Sequence, residues 1–170
     1  DPVAVGEALQ RFLQLGIGFA LGLLEKAGVT RVGVNSHWLH PQIADALGHR
    51  WHDAIDVVTT HEPDVLGTGG GLRGLVKALP PPPHEKVIVM NADALIDVDL
   101  GALIDAGAAH ADAIATLVLK EVPDVDKYGA LGTDENDVVT DFAGRAHTGR
   151  VVRRRMFCGI HLVDPRAFTI

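Results

Sequence analysis

Hydrophobic and polar positions alternate along the chain in blocks that predict helices and strands in turn. Between Glu7 and Lys26, Leu9, Phe12, Leu13, Leu15, Ile17, Phe19, Leu21, Leu23 and Leu24 are apolar. They fall on most sides of a helical wheel, so this block predicts a helix packed between a sheet and other elements. Gly28 follows as a stop signal. Arg31 to Asn35 reads as a short buried strand, and Pro41 to Leu47 as a short helix with proline near its start. The β-branched run Ala54 to Thr60 predicts the next strand. Leu72 to Leu79 has helical character and stops before Pro80 to Pro83.

Lys86 to Asn91 is the clearest buried strand, a continuous apolar run of the kind parallel sheets use. Leu100 to Ala109 predicts an Ala-rich helix, with Asp97 and Asp99 both near its N-cap. Ala113 to Lys120 is again a strand. Helices then fade: Gly129 to Thr133, Val138 to Phe142 and Met156 to Val163 read as strands, with a hairpin-like turn at Asp134 to Asp137. Asp164-Pro165 opens a final helix. Ala143 to Arg155, basic and glycine-containing, reads as a loop. The order predicts an α/β fold of the Rossmann-like, doubly wound kind, a mostly parallel sheet with an appended mixed or antiparallel region.

Composition narrows the function classes. With 170 residues, 47% of them hydrophobic and 22% charged, the chain has material for one sizeable core. Its net charge, 15 − 22 = −7, excludes the basic footprint of a nucleic-acid binder. Cys158 is the sole cysteine, so no intramolecular disulfide forms and a reducing, cytoplasmic setting is expected. The apolar run Phe12 to Leu24 falls short of the roughly twenty residues that span a bilayer. No membrane partner is expected.

Candidate chemistry gathers first at Leu66-Gly67-Thr68-Gly69-Gly70-Gly71-Leu72. Glycine lets backbone approach a ligand closely, and a helix starting near Thr68 offers unpaired N–H groups. That pairing suits a nucleotide or another anionic or carbonyl-bearing ligand, while glycine-rich turns that merely join a strand to a helix are commoner. His37/His40 and His49/His52 have i, i+3 spacing but no further ligand to complete a zinc site. Cys158 lies in an apolar strand and reads as core.

Two segments together carry a resemblance: His61-Glu62-Pro63-Asp64-Val65-Leu66-Gly67-Thr68-Gly69-Gly70-Gly71-Leu72 and Val87-Ile88-Val89-Met90-Asn91-Ala92-Asp93-Ala94-Leu95. They resemble the sugar-phosphate nucleotidyltransferases, or nucleotide-sugar pyrophosphorylases, nearest to mannose-1-phosphate guanylyltransferase-like proteins. Val32-Gly33-Val34-Asn35 with His37-Trp38-Leu39, Tyr128-Gly129, and Gly159-Ile160-His161-Leu162 with Asp164-Pro165 extend it from about residue 20 to 170. The resemblance implies transfer of a nucleoside monophosphate from an NTP to a sugar 1-phosphate, with release of pyrophosphate. It places Glu62, Leu66, Gly67, Thr68, Gly69 and Asn91 on the nucleotide, Asp93 as the catalytic carboxylate holding Mg²⁺, and Gly129 and Gly159 beside the sugar. A single nucleotidyltransferase-like domain over 1–170, incomplete at both ends, is implied.

The chain departs from that family in places. Its Gly-x-Gly-Thr-Arg loop and Lys-Pro motif are not found, Ala143-Gly144-Arg145 replaces the sugar-binding Glu-Lys-Pro, and Phe157 stands where Asn is expected. These departures keep open an alternative, a non-catalytic nucleotide- or nucleotide-sugar-binding regulatory domain of the same fold. Asp97-Val98-Asp99 has the Asp-x-Asp spacing of glycosyltransferases, although the glycine segment and Asn-Ala-Asp fit the nucleotidyltransferases better.

Overall fold

The computed structural model describes residues 15–48, 50–93 and 95–168. In chain order it shows α1 (15–26), β1 (Arg31–Ser36), α2 (His40–Leu47), β2 (Arg50–Trp51), β3 (Ile55–His61) and α3 (Gly67–Ala78). There follow β4 (Val87–Met90), α4 (Leu100–Ala109), β5 (Ala115–Lys120), β6 (Leu131–Thr133), β7 (Val139–Phe142) and β8 (Arg153–Val163). Short 3-10 turns lie at Val125–Tyr128 and Pro165–Phe168. The part of the first expected helix before residue 15 lies outside the described residues, as does His49.

β1 and β3 pair in parallel from Arg31↔Asp56 to Ser36↔His61, joined by a crossover through α2. The short β2 adds an antiparallel edge to β3. In the second sheet β8 is the hub, antiparallel to β4, β5 and β6, while β7 pairs with β6. The α/β class read from the sequence holds. The antiparallel share is large because β8, a single long strand, serves three partners.

A common core ties the two sheets together. Ile17, Leu21 and Leu24 of α1 meet Ile43 and Leu47 of α2, Ile55 and Val57 of β3, Leu100 and Leu103 of α4, and Ile160 and Leu162 of β8. Val32 and Val34 of β1 and Ile88 and Met90 of β4 pack against the same cluster. Alternation explains the choice: Ile88 lies opposite Leu162 and Met90 opposite Ile160, so alternate side chains of β4 and β8 share the helix-covered face. The other β4 positions, Val87, Val89 and then Asn91, point away from it.

Two local outcomes differ from the sequence reading. The glycines are the first turns of α3, not a loop before it, since the helix begins at Gly67. Arg153 to Arg155 are strand, paired with β6. Their charges are answered on both sides of β8: Arg153 and Arg155 reach Asp137 at 2.9 and 2.7 Å, and Arg154 reaches Asp126 at 2.7 Å. With partners in place, three arginines in a row no longer oppose strand formation. The segment after Asp164 makes a single 3-10 turn over the described residues, where a helix was expected.

Candidate functional site

The C-terminal ends of parallel strands are where open α/β sheets gather their ligands. β1 ends at Asn35-Ser36 and β3 at His61, directly opposite. Glu62 follows, and its main-chain N–H donates to the Ser36 carbonyl at 2.9 Å, so the strand pairing carries one residue into the loops. The Glu62 side chain then organises the start of α3. Asn35 Nδ2 donates to Glu62 Oε1 at 2.9 Å, and the Leu66 N–H reaches Glu62 Oε2 at 3.4 Å.

Gly71 completes this arrangement. It is buried, and a Cβ placed there would collide with Asn35 Nδ2 and Glu62 Oε1. Small size at Gly71 therefore lets α3 seat directly on the Asn35–Glu62 pair. At the mouth of the helix, Gly67, Thr68 and Gly69 are exposed, and the N-cap residue Leu66 supplies no side-chain cap. The first N–H groups of α3 are consequently free of helical partners and near solvent. Around them Val65 and Leu66 are exposed, as is Trp38 in the turn after β1.

His37 and His40 do not converge on a common point. His37 Nδ1 donates to the Glu62 carbonyl at 2.7 Å, while His40 Nδ1 bonds the Ser36 hydroxyl at 2.8 Å and its ring stacks on His61. Among the described residues no group of three or more His, Cys, Asp or Glu side chains is placed to hold a metal ion.

The second cluster lies at the end of β4. The Asn91 N–H donates to the Gly159 carbonyl at 2.9 Å. Gly159 has φ +73, and a Cβ there would sit 2.9 Å from Asn91 Nδ2. Both conformation and space demand glycine. This spot is also a bulge of β8: Leu117 faces His161, yet Leu119 faces Phe157, so β8 spends four residues where β5 spends two. Asp93 comes two residues after Asn91 in the exposed turn that leaves β4, with no hydrogen bond or ion pair to another described residue. Asp99 is the N-cap of α4, accepting from the Ala102 N–H at 3.1 Å, which removes it from any metal pair with Asp97.

Gly129 ends the 3-10 turn with φ +69, and a Cβ on it would touch the Ala143 methyl at 4.0 Å. Beside it Val122, Pro123, Asp124, Lys127, Tyr128 and Met156 line an open cavity of about 550 Å³. The turn at 143–144 is held by Asp141, a buried carboxylate that accepts from the Gly144 N–H at 2.9 Å.

Three residues that the sequence reading left out of the site come forward. Asn35 and Gly71 anchor the start of α3, and a polar residue at the last turn of a buried strand was the available signal for the first. His161 is the third: its ring lies 5.5 Å from Phe157 and its Nδ1 is buried without a partner. Burial holds the His161 imidazole below its ordinary value, and burial likewise pushes the Cys158 thiol up. Cys158 is buried in β8, as expected of a core residue.

As to donor chemistry, Mg²⁺ binds through one or two protein carboxylates and completes its shell with phosphate oxygens and water. An accessible carboxylate bonded to no other described residue fits that pattern, and Asp93 is such a group.

Comparison with known proteins identifies the family. The family model described as nucleotidyl transferase matches residues 16–145. The chain is 34% identical over 111 residues to an N-acetylmuramate alpha-1-phosphate uridylyltransferase of Neisseria meningitidis, covering 63% of this chain and 46% of that protein. It is 32% identical over 124 residues to a D-glycero-alpha-D-manno-heptose 1-phosphate guanylyltransferase of Campylobacter jejuni, covering 73% of this chain and 52% of that one. The chain thus spans about half the length of these relatives. Among solved structures, HddC from Yersinia pseudotuberculosis superposes with a TM-score of 0.66 at 23% identity, over 94% of this chain and 64% of that one, a likeness of fold.

Proposed function

The chain belongs to the nucleotidyl transferase family, and from that membership we propose that it joins a nucleoside monophosphate from an NTP to a sugar 1-phosphate. The acceptor phosphate oxygen attacks the α-phosphorus, a P–O bond forms there, and pyrophosphate leaves with the electrons of the broken bond. No covalent enzyme intermediate is required, so the protein's task is to position two anions and balance their charge. The observation that carries this reading is Asp93, a solvent-facing carboxylate at the carboxyl end of β4 that bonds to no other described residue.

In this reading Leu66, Gly67, Thr68 and Gly69 face the nucleotide with their backbone, and Glu62 holds that segment in place from behind. Asn91, fixed against Gly159, sets the course of the chain into Asp93. Asp93 would hold Mg²⁺, whose positive charge, when bound, would offset the negative charge of the phosphates. Gly129 and Gly159 line the sugar side in this reading. A cytoplasmic setting follows from the substrates. Among the described residues no helix is long and apolar enough to cross a membrane.

A second reading is favoured by one internal feature. At 143–145 the chain has Ala-Gly-Arg, folded as a tight turn with left-handed φ at Ala143 and Gly144, instead of the family's Glu-Lys-Pro. A domain that binds a nucleotide or nucleotide sugar without turning it over would tolerate that loss. A pyrophosphate-release assay across NTPs and sugar 1-phosphates, run beside nucleotide binding with and without Mg²⁺, separates the two. Release in any pairing supports the transferase; Mg²⁺-dependent binding without release in every pairing sinks it in favour of the binding domain.

A further inference from the structure

His37 sits in the turn after β1, and its Nδ1 donates to the Glu62 carbonyl at 2.7 Å. A carbonyl oxygen can only accept, so Nδ1 carries the hydrogen, and in the neutral ring Nε2 is left as a bare acceptor. The residue is exposed, and no other described residue bonds to its ring. Nε2 of this exposed residue is thus a hydrogen-bond acceptor in a fixed tautomer.

Glu62 makes that placement purposeful. The residue whose carbonyl holds the imidazole also holds Asn35 and the Leu66 N–H through its carboxylate. One residue therefore sets both the acceptor on His37 and the backbone donors at the start of α3. Exposed apolar surface lies in the same two turns, with Trp38 at 57% and Leu66 at 64% exposure. A flat heterocycle would cover it.

Nucleobases divide by the order of groups on one edge. Guanine, uracil and thymine present a keto oxygen beside an imino N–H; adenine and cytosine present an amino group beside a bare ring nitrogen. A fixed acceptor tied through Glu62 to backbone donors matches the first order, whereas a bare ring nitrogen facing Nε2 would set two lone pairs against each other. We infer that His37 is a specificity-determining residue that accepts the imino N–H of a keto base, so that the nucleotide taken is a guanine or uracil/thymine nucleotide. This rests on the nucleotide reading above and extends it to a residue and a base class.

The test is equilibrium binding of GTP, UTP, ATP and CTP to the whole chain in Mg²⁺, with far-UV circular dichroism on every variant. The wild-type chain should bind GTP or UTP about tenfold or more tighter than ATP and CTP. His37→Asn keeps a donor near the position of Nδ1 and removes Nε2, so the ratio should fall to near one through weaker GTP or UTP binding. His37→Gln places an amide oxygen near the position of Nε2 and should keep most of the preference. Equal or tighter ATP or CTP binding by the wild-type chain overturns the assignment, as does a preference that survives in a folded His37→Asn chain. Should that variant not fold, His37→Phe, which keeps a ring without an acceptor, decides by the same ratio. A wild-type chain that binds none of the four nucleotides brings down the nucleotide reading and this one with it. Keto-base binding indifferent to residue 37 brings down this one alone.

Discussion

A Cβ on Gly159 would stand 2.9 Å from Asn91 Nδ2 and 3.1 Å from Asn91 Cβ, at a residue whose φ is +73. The strand that carries the core and the strand that leads to Asp93 are thus keyed together at one glycine. Gly159→Ala meets both a disfavoured backbone and a steric block, for about 1–3 kcal/mol of lost stability. Equilibrium urea denaturation measures it. A loss under about 0.5 kcal/mol, the level of an ordinary surface change, would show that β4 and β8 are not keyed there.

Gly71 sets up a second, separate case. An added methyl group would press on the Asn35 amide and the Glu62 carboxylate, both of which sit on side chains that can swing away. The expected effect of Gly71→Ala is therefore small on folding and larger on the site. Nucleotide affinity should drop by about tenfold, the worth of one well-placed hydrogen bond, and Glu62→Ala should match it. Because both changes break the same arrangement, the double variant should lose little more than either single one. Calorimetric titration of the three variants reads this directly; additive losses would mean the two residues act independently.

How far the sequence reaches is seen at particular residues. The Leu100 to Ala109 helix was legible to its ends, because its apolar run and its N-cap at Asp99 are local signals. Strands β1, β3, β4 and β5 were legible for the same reason, as short apolar runs between turns. The Arg153–Arg155 stretch was not, since its strand state depends on Asp137, Asp126 and Glu121 from other parts of the chain. The same divide runs through the site. Asp93, Gly159 and the glycine segment stand out by residue type, but Asn35 and Glu62 lie 27 positions apart and only folding makes them a pair. The start of α3 was set late by local reading because glycines weaken a helix, and the Glu62 carboxylate and the seat on Asn35 outweigh that.

Acid should act on the fold in two steps with a common sign. His161 is held below its ordinary value by burial. The unfolded chain therefore takes up a proton below about pH 6.5 that the folded chain refuses, and stability falls from there toward the folded value. Asp137 is held below the usual carboxylate range, chiefly by its hydrogen bond from Arg155, with Arg153 adding to it. Its contribution is fully present above about pH 4 and is lost as pH falls through the folded value. Thermal unfolding between pH 7 and pH 3 should show the midpoint declining in both windows. His161→Phe should flatten the upper one and leave the lower unchanged. A midpoint that rises as pH drops from 7 to 5 would reverse the sign argued for His161.

Asp93→Asn separates a working carboxylate from a structural one. Asp93 is exposed and bonds to no other described residue, so the substitution removes a charge that the fold does not use. Urea unfolding of the variant should stay within about 0.5 kcal/mol of the parent chain. Function should respond quite differently if the carboxylate faces the nucleotide phosphates. An amide keeps one oxygen but loses the negative charge that a hard divalent cation requires, so Mg²⁺-dependent nucleotide binding should disappear. Any pyrophosphate release should fall by about a hundredfold or more, the scale of losing one electrostatic partner of a transition state. Parallel titrations with and without Mg²⁺ make the comparison. If the Mg²⁺ dependence persists in the folded variant, the cation is held elsewhere. If stability drops by several kcal/mol instead, Asp93 is a structural turn residue, and its position at the end of β4 has no bearing on chemistry.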